Sequence, residues 1–205
     1  MKEKNEYLDI EITKLEEKGF VRKDITYGTV RMDIISLLLT IPVILFMLWL
    51  YKRKGNFFDF GGFELSEILG AIMLFFLLEV VHKWIHGCSM AMFSRGKIQS
   101  ISFVETKRAF VTRCICIEPL KLKHVIFALL APMIILGIMP AIFAITLGSD
   151  FLFLISGVMI LGSVSDVVYA YELLKYKTKK KTCIFYTHPY QYGYVVMSKD
   201  RGRTT

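Results

Sequence analysis

Two histidines stand four residues apart in the segment Glu79-Val-Val-His82-Lys83-Trp84-Ile85-His86-Gly87. On a helix, positions i and i+4 lie about 40° apart on one face, so both imidazoles can reach a single metal ion. With Glu79 as the origin of the helical wheel, His82 falls at about −60°, His86 at about −20° and Lys83 at about +40°, and all four can face one way. They sit in an apolar run, where an ionisable group is costly unless another group or an ion satisfies it. A fifth such group, Asp166, ends the segment Leu161-Gly-Ser-Val-Ser-Asp166, whose small residues permit close approach of another helix. Two imidazoles and a carboxylate with an open fourth position make the donor set of a catalytic zinc site. The same residues also allow plain ion pairs: Glu79 with Lys83 at the favourable i,i+4 spacing, or Asp166 with Lys83 or Lys175.

The elements that must position these groups are legible from hydropathy. The chain of 205 residues is 54% hydrophobic and carries a net charge of +8, a combination rare in water-soluble domains. Four apolar runs are long enough to cross a hydrocarbon core of about 30 Å: Ile34–Tyr51, Ile68–Ile85, Val125–Leu147 and Phe151–Leu174. They lack the period-two alternation of a membrane barrel, which leaves helices as the spanning structure. Of the 26 Lys and Arg residues, four spans with both termini in the cytoplasm place 22 on that side and three, Lys52, Arg53 and Lys54, on the other, with Lys83 inside a helix. The charge rule thus predicts a multi-pass plasma-membrane protein with cytoplasmic termini. The histidine pair then falls at the cytoplasmic end of the second span. The first thirty residues lack the pattern of a cleavable signal peptide, so the first span is expected to act as a signal anchor.

Outside the spans, Leu8, Ile12 and Leu15 recur at helical spacing, with Gly19 placed to end the turn. An amphipathic helix on the membrane surface or cytoplasmic loops and a solvated helix both fit. Segments 98–106 and 110–118 are rich in β-branched and aromatic residues and predict a hairpin, punctuated by Gly96 and Lys107-Arg108. Cys183-Ile-Phe-Tyr and Tyr192-Gly-Tyr-Val-Val predict two more strands that could pack on it. His124 and His188 are expected to be interfacial or surface imidazoles, and Trp84 an aromatic anchor. Cys88, Cys114, Cys116 and Cys183 all fall on the cytoplasmic side and should be reduced thiols; no second ligand pair supports a zinc knuckle at Cys114-Ile-Cys116. The basic tract at 175–181 follows a span directly, which favours contact with anionic lipid over nucleic acid.

The order of a membrane-embedded His82-x-x-x-His86 followed by Gly87, a β-rich segment, a helix with Ala131-Pro132 and a last helix with Gly-x-x-x-Asp166 resembles a bacterial membrane-domain family of zincin-type peptidases, itself similar to the site-2 class of intramembrane metalloproteases. The resemblance covers about Glu67 to Tyr194. It implies His82, His86 and Asp166 as zinc ligands and a glutamate as general base at position 83, where this chain has Lys83. Glu79, one turn earlier, is open to a substitute role, to holding an imidazole, or to pairing with Lys83.

The expected fold class is all-α membrane: a four-transmembrane-helix bundle with a small cytoplasmic β-rich loop and tail. It divides into an N-terminal cytoplasmic segment 1–33, a membrane domain 34–174 with its β-rich insertion at about 96–120, and a basic tail 175–205. The expected function is a zincin-type metallopeptidase impaired by Lys83, with an active intramembrane zinc protease and a non-catalytic membrane interaction or structural subunit as alternatives. Zinc is the expected cofactor, and the lipid bilayer and a membrane-protein or peptide substrate the expected partners; oligomeric state is not legible.

Overall fold

The computed structural model describes residues 2–56, 64–105, 112–176 and 181–200. Lys107-Arg108 and positions 177–180 of the basic tract lie outside the described residues. The elements run α1 (Lys2–Glu17), β1 (Val21–Thr26), α2 (Thr29–Arg53), α3 (Leu65–Ala91), a 3₁₀ turn (Lys97–Ser100), β2 (Ile101–Glu105) and β3 (Thr112–Cys116). They continue with α4 (Leu122–Pro132), a π-helical turn (Met133–Ile138), α5 (Met139–Leu147), α6 (Asp150–Leu174), β4 (Lys181–Thr187) and β5 (Gly193–Asp200). Among the described residues, four helical stretches are long and apolar enough to cross a membrane: Ile34–Arg53, Leu65–Ala91, Leu122–Leu147 and Asp150–Leu174. Each contains an apolar run identified from hydropathy. The third begins with α4 and runs through the π turn into α5; Pro132 removes a backbone donor at the junction, and the i→i+5 turn that follows is one of the usual responses to such a break.

The chain divides into two compact units, one made of residues 29–82 and 130–168 and the other of 1–28, 83–129 and 169–205. The first is purely helical. Its core joins Met47 and Tyr51 of α2 to Ala141 and Ala144 of α5 and Phe153 and Ile160 of α6. Small residues set the helix spacing there. A Cβ added at Gly137 would fall 2.7 Å from Ile160 Cγ1, so the π turn can lie against α6 only with glycine at that position. Ser156 and Ser163 are fully buried on α6 and donate to the carbonyls of Phe153 and Met159 on their own helix, which removes the need for an outside partner.

The second unit is built around an antiparallel sheet of order β1-β5-β4. Val195, Val196 and Met197 of the central strand are wholly buried, and Leu8 and Ile12 of α1 pack with Tyr186, Val195 and Met197. The N-terminal helix therefore covers a sheet face. Gly193 opens β5 at φ +135°, and a Cβ there would stand 2.0 Å from the Ile25 carbonyl oxygen, so the β1–β5 ladder can start only on glycine.

The hairpin expected at 98–118 forms as β2–β3, in register Ile101↔Cys116 to Glu105↔Thr112. The two tail strands do not simply extend it. They pair with each other and with β1, a strand hydropathy did not reveal, and meet the hairpin side at a Leu120↔Phe185 bridge and at Thr187, whose hydroxyl accepts from Cys116 N and donates to Cys116 O.

Candidate metal centre

Helix α3 carries Glu79, His82, Lys83 and His86, and α6 carries Asp166. Inside the helical unit, His82 Nε2 lies 3.2 Å from Asp166 Oδ2, with His82 buried and the Asp166 side chain 16% exposed. Asp166 thus meets His82, and Lys175, one of the two lysines considered as its ion-pair partner, pairs with Glu172 at 2.6 Å. Glu79 faces the same helix. Its Oε1 would be 3.4 Å from a Cβ at Gly162, one turn before Asp166, so the glycine leaves the room that this carboxylate uses.

One turn beyond His82, the helix presents His86. Its Nδ1 lies 2.7 Å from the carbonyl oxygen of Ala128 on α4. A carbonyl can only accept, so Nδ1 is the donor in this contact. This is the arrangement that orients a metal-ligating imidazole. One ligand atom from each of His82, His86 and Asp166 lies within 4.8 Å of the others, and this is the group among the described residues that could hold a metal ion. The donor set fits zinc: two imidazoles and one carboxylate oxygen, with the His86 ring held through Nδ1 by the Ala128 carbonyl.

The end of α3 that carries His86 is fixed by the hairpin. A Cβ at Gly87 would come within 3.2 Å of Cys114 Sγ, 3.3 Å of Ile101 and 3.4 Å of Phe103, and the Trp84 ring lies 5.2 Å from the Phe103 ring. Trp84 is thus half exposed and half seated on β2. The four cysteines are free thiols. Burial pushes Cys114 up to about 12 and Cys116 up to about 11, which keeps both thiols protonated at neutral pH.

Two residues depart from their sequence-based reading. His188 is a buried side chain, not a surface one: Nδ1 accepts from the backbone N–H groups of Tyr190 at 3.1 Å and Gln191 at 3.0 Å, and Nε2 stands 3.7 Å from Asp24. Burial first, and the positive charges of Arg22 and Arg113, hold it below the ordinary histidine range against the opposing pull of Asp24. Arg113 on β3 drew no attention in sequence, yet its buried guanidinium donates to three carbonyls of the β4–β5 turn: His188 at 3.4 Å, Pro189 at 3.1 Å, and Gln191. His124 fits its expectation better, half-buried with its ring stacked 4.1 Å from Phe93.

A helical pair of histidines, a distant carboxylate in contact with the first of them and a β-hairpin against the following glycine together define a zincin-like arrangement. The sequence profile of the family described as "Putative zincin peptidase" matches residues 75–181, just over half of the chain, and the protein belongs to that family. The match begins just before Glu79 and contains every residue of the candidate centre. No curated protein and no solved structure matches the chain.

Proposed function

We propose that the protein is an integral membrane zincin whose α3 and α6 hold zinc through His82, His86 and Asp166, and whose capacity to hydrolyse peptides is lowered by Lys83. The observation that carries the metal part is the convergence of one ligand atom from each of His82, His86 and Asp166 to within 4.8 Å of one another. The chemistry zinc supplies when bound is polarisation of a carbonyl and acidification of water. The chain's own residues do the rest. His82 and His86 orient the site through one rigid helix, Asp166 brings the negative charge that offsets part of a divalent ion's, and the apolar spans around them limit water. At position 83, where the family resemblance implies a carboxylate, an ammonium cannot accept a proton while charged and opposes a nearby cation. The membrane part rests on the four apolar spans and on the charge distribution, which together favour a plasma-membrane location with both termini in the cytoplasm.

A second reading has one observation in its favour. Glu79 lies against Gly162 on the Asp166 helix, so a carboxylate is present one turn from His82 and could take the proton that Lys83 cannot. The chain would then be an active intramembrane protease with its base displaced along the helix. Purified protein, Lys83→Glu and Glu79→Gln, each measured for zinc content and for cleavage of a membrane peptide, separate the readings. Zinc in all three with cleavage only by Lys83→Glu supports the impaired enzyme. Cleavage by the original chain that Glu79→Gln abolishes supports the displaced base. Absence of zinc from all three would leave a membrane interaction or structural subunit with an internal polar network.

A further inference from the structure

Lys52-Arg53-Lys54 is the one cationic cluster that the charge rule assigns to the side with few charges. At that end of the helical unit, an open cleft of about 610 Å³ is lined by Leu50, Arg53 and Lys54 at the end of α2 and Ile142, Ile145 and Thr146 of α5. Hydrogen bonds tie this end of the helical segment to α6 and to α5. Tyr51 donates its hydroxyl to Asp150 at 2.5 Å, and the Asn56 side-chain amide donates to the Ile145 carbonyl at 3.0 Å. The helix also ends without help from its lysines: with Gly55 at φ +86°, the N–H groups of Gly55 and Asn56 return to the carbonyls of Lys52 at 3.0 Å and Tyr51 at 3.3 Å. Arg53 lies over the Trp49 ring at 5.1 Å, and no ion pair among the described residues involves Arg53 or Lys54.

We infer that this cleft binds an anionic phospholipid, with the phosphate at Arg53 and Lys54 and an acyl chain along Leu50, Ile142 and Ile145. The inference rests on the membrane reading above. The pairing of two cations with an apolar wall selects an anionic amphiphile: a free phosphate gains nothing from Leu50, Ile142 and Ile145, and a zwitterionic headgroup offers the two cations no net charge. Lys52 is exposed next to them but does not line the cleft. It supplies the internal control.

The chain has two tryptophans, so Trp84→Phe leaves Trp49 as a reporter one turn from Arg53. The full-length variant is reconstituted into phosphatidylcholine vesicles containing either phosphatidylglycerol or further phosphatidylcholine with brominated acyl chains, at equal mole fraction. Brominated phosphatidylglycerol should quench Trp49 more strongly, Lys54→Gln should lower that preference about fivefold, and Lys52→Gln should leave it unchanged. Should Lys54→Gln fail to reconstitute, Ile142→Gln keeps both cations, spoils the apolar wall and should weaken the preference as well. Equal quenching by the two lipids, equal effects of Lys52→Gln and Lys54→Gln, or loss of the preference in excess inorganic phosphate would each overturn the cleft assignment while leaving the membrane reading intact. A protein that does not float with phosphatidylcholine vesicles at all overturns both.

Discussion

His82 and Asp166, 84 residues apart in sequence, meet at 3.2 Å across α3 and α6. Each is the partner the other needs in an apolar surrounding, so loss of either should be felt in the absence of metal as well as in its presence. Asp166→Asn and His82→Ala are expected to lower zinc content of the purified protein to background, as is His86→Ala. Asp166→Ala should also destabilise the metal-free protein by about 1–3 kcal/mol, because a buried imidazole loses its acceptor. Elemental analysis and thermal unfolding in detergent check the two effects separately. Undiminished zinc in all three single variants would remove these residues from the centre.

The Glu79 carboxylate lies beside Gly162. Alanine there would stand at 3.4 Å from Oε1, ordinary contact, and should be tolerated within about 0.5 kcal/mol. Leucine cannot share the space and should push the carboxylate away. If Glu79 is the proton acceptor, Gly162→Leu lowers cleavage by about the 10²–10⁴-fold typical of a lost base while Gly162→Ala does not. Matching effects of the two substitutions would exclude that role.

Reporter fusions should read outside at Lys54, inside at Gly96, outside at Ser149 and inside at Thr205. The motive is the one-sided charge distribution together with the four helices long and apolar enough to cross a membrane. An external C-terminus would reverse the orientation and put the histidine pair on the other face.

The β4–β5 turn should loosen in acid. His188 is held below its ordinary value of 6.5, chiefly by burial, and its Nδ1 must be unprotonated to accept from Tyr190 and Gln191. In this case the unfolded chain binds the proton more readily than the folded one. The stabilisation is therefore complete above about pH 6.5 and is lost as pH falls toward the lower folded-state value. Hydrogen exchange at the Tyr190 and Gln191 amides should accelerate over that window in the original chain and be insensitive to it in His188→Asn. A pH-independent rate in the original chain would remove His188 as the cause.

The four long apolar helices and the placing of both histidines on one helix were legible because both obey short rules: an apolar run of the length a bilayer would need, and a four-residue step that matches a helical turn. Asp166 was legible for a different reason, since an isolated carboxylate in an apolar run needs a partner somewhere. What escaped lacks such rules. Val21–Thr26 has four exposed residues in succession, so it shows no alternation, and its partner strand begins at Gly193. Arg113 binds backbone carbonyls, which every residue offers, so nothing in the turn sequence announces it. His188 is hidden in the same way, by N–H groups instead of carbonyls.

The order β1-β5-β4 also ties stretches far apart in the chain into one event of assembly. The central strand, Gly193–Asp200, follows all four long apolar helices, while β1 and the helix α1 packed on the sheet precede them. During synthesis Val21–Thr26 therefore stays without its ladder until every one of those helices has been made and β5 has followed. A truncation before Gly193 should release α1 and β1 as well, and would leave β1 as a strand edge open to chaperones and proteases.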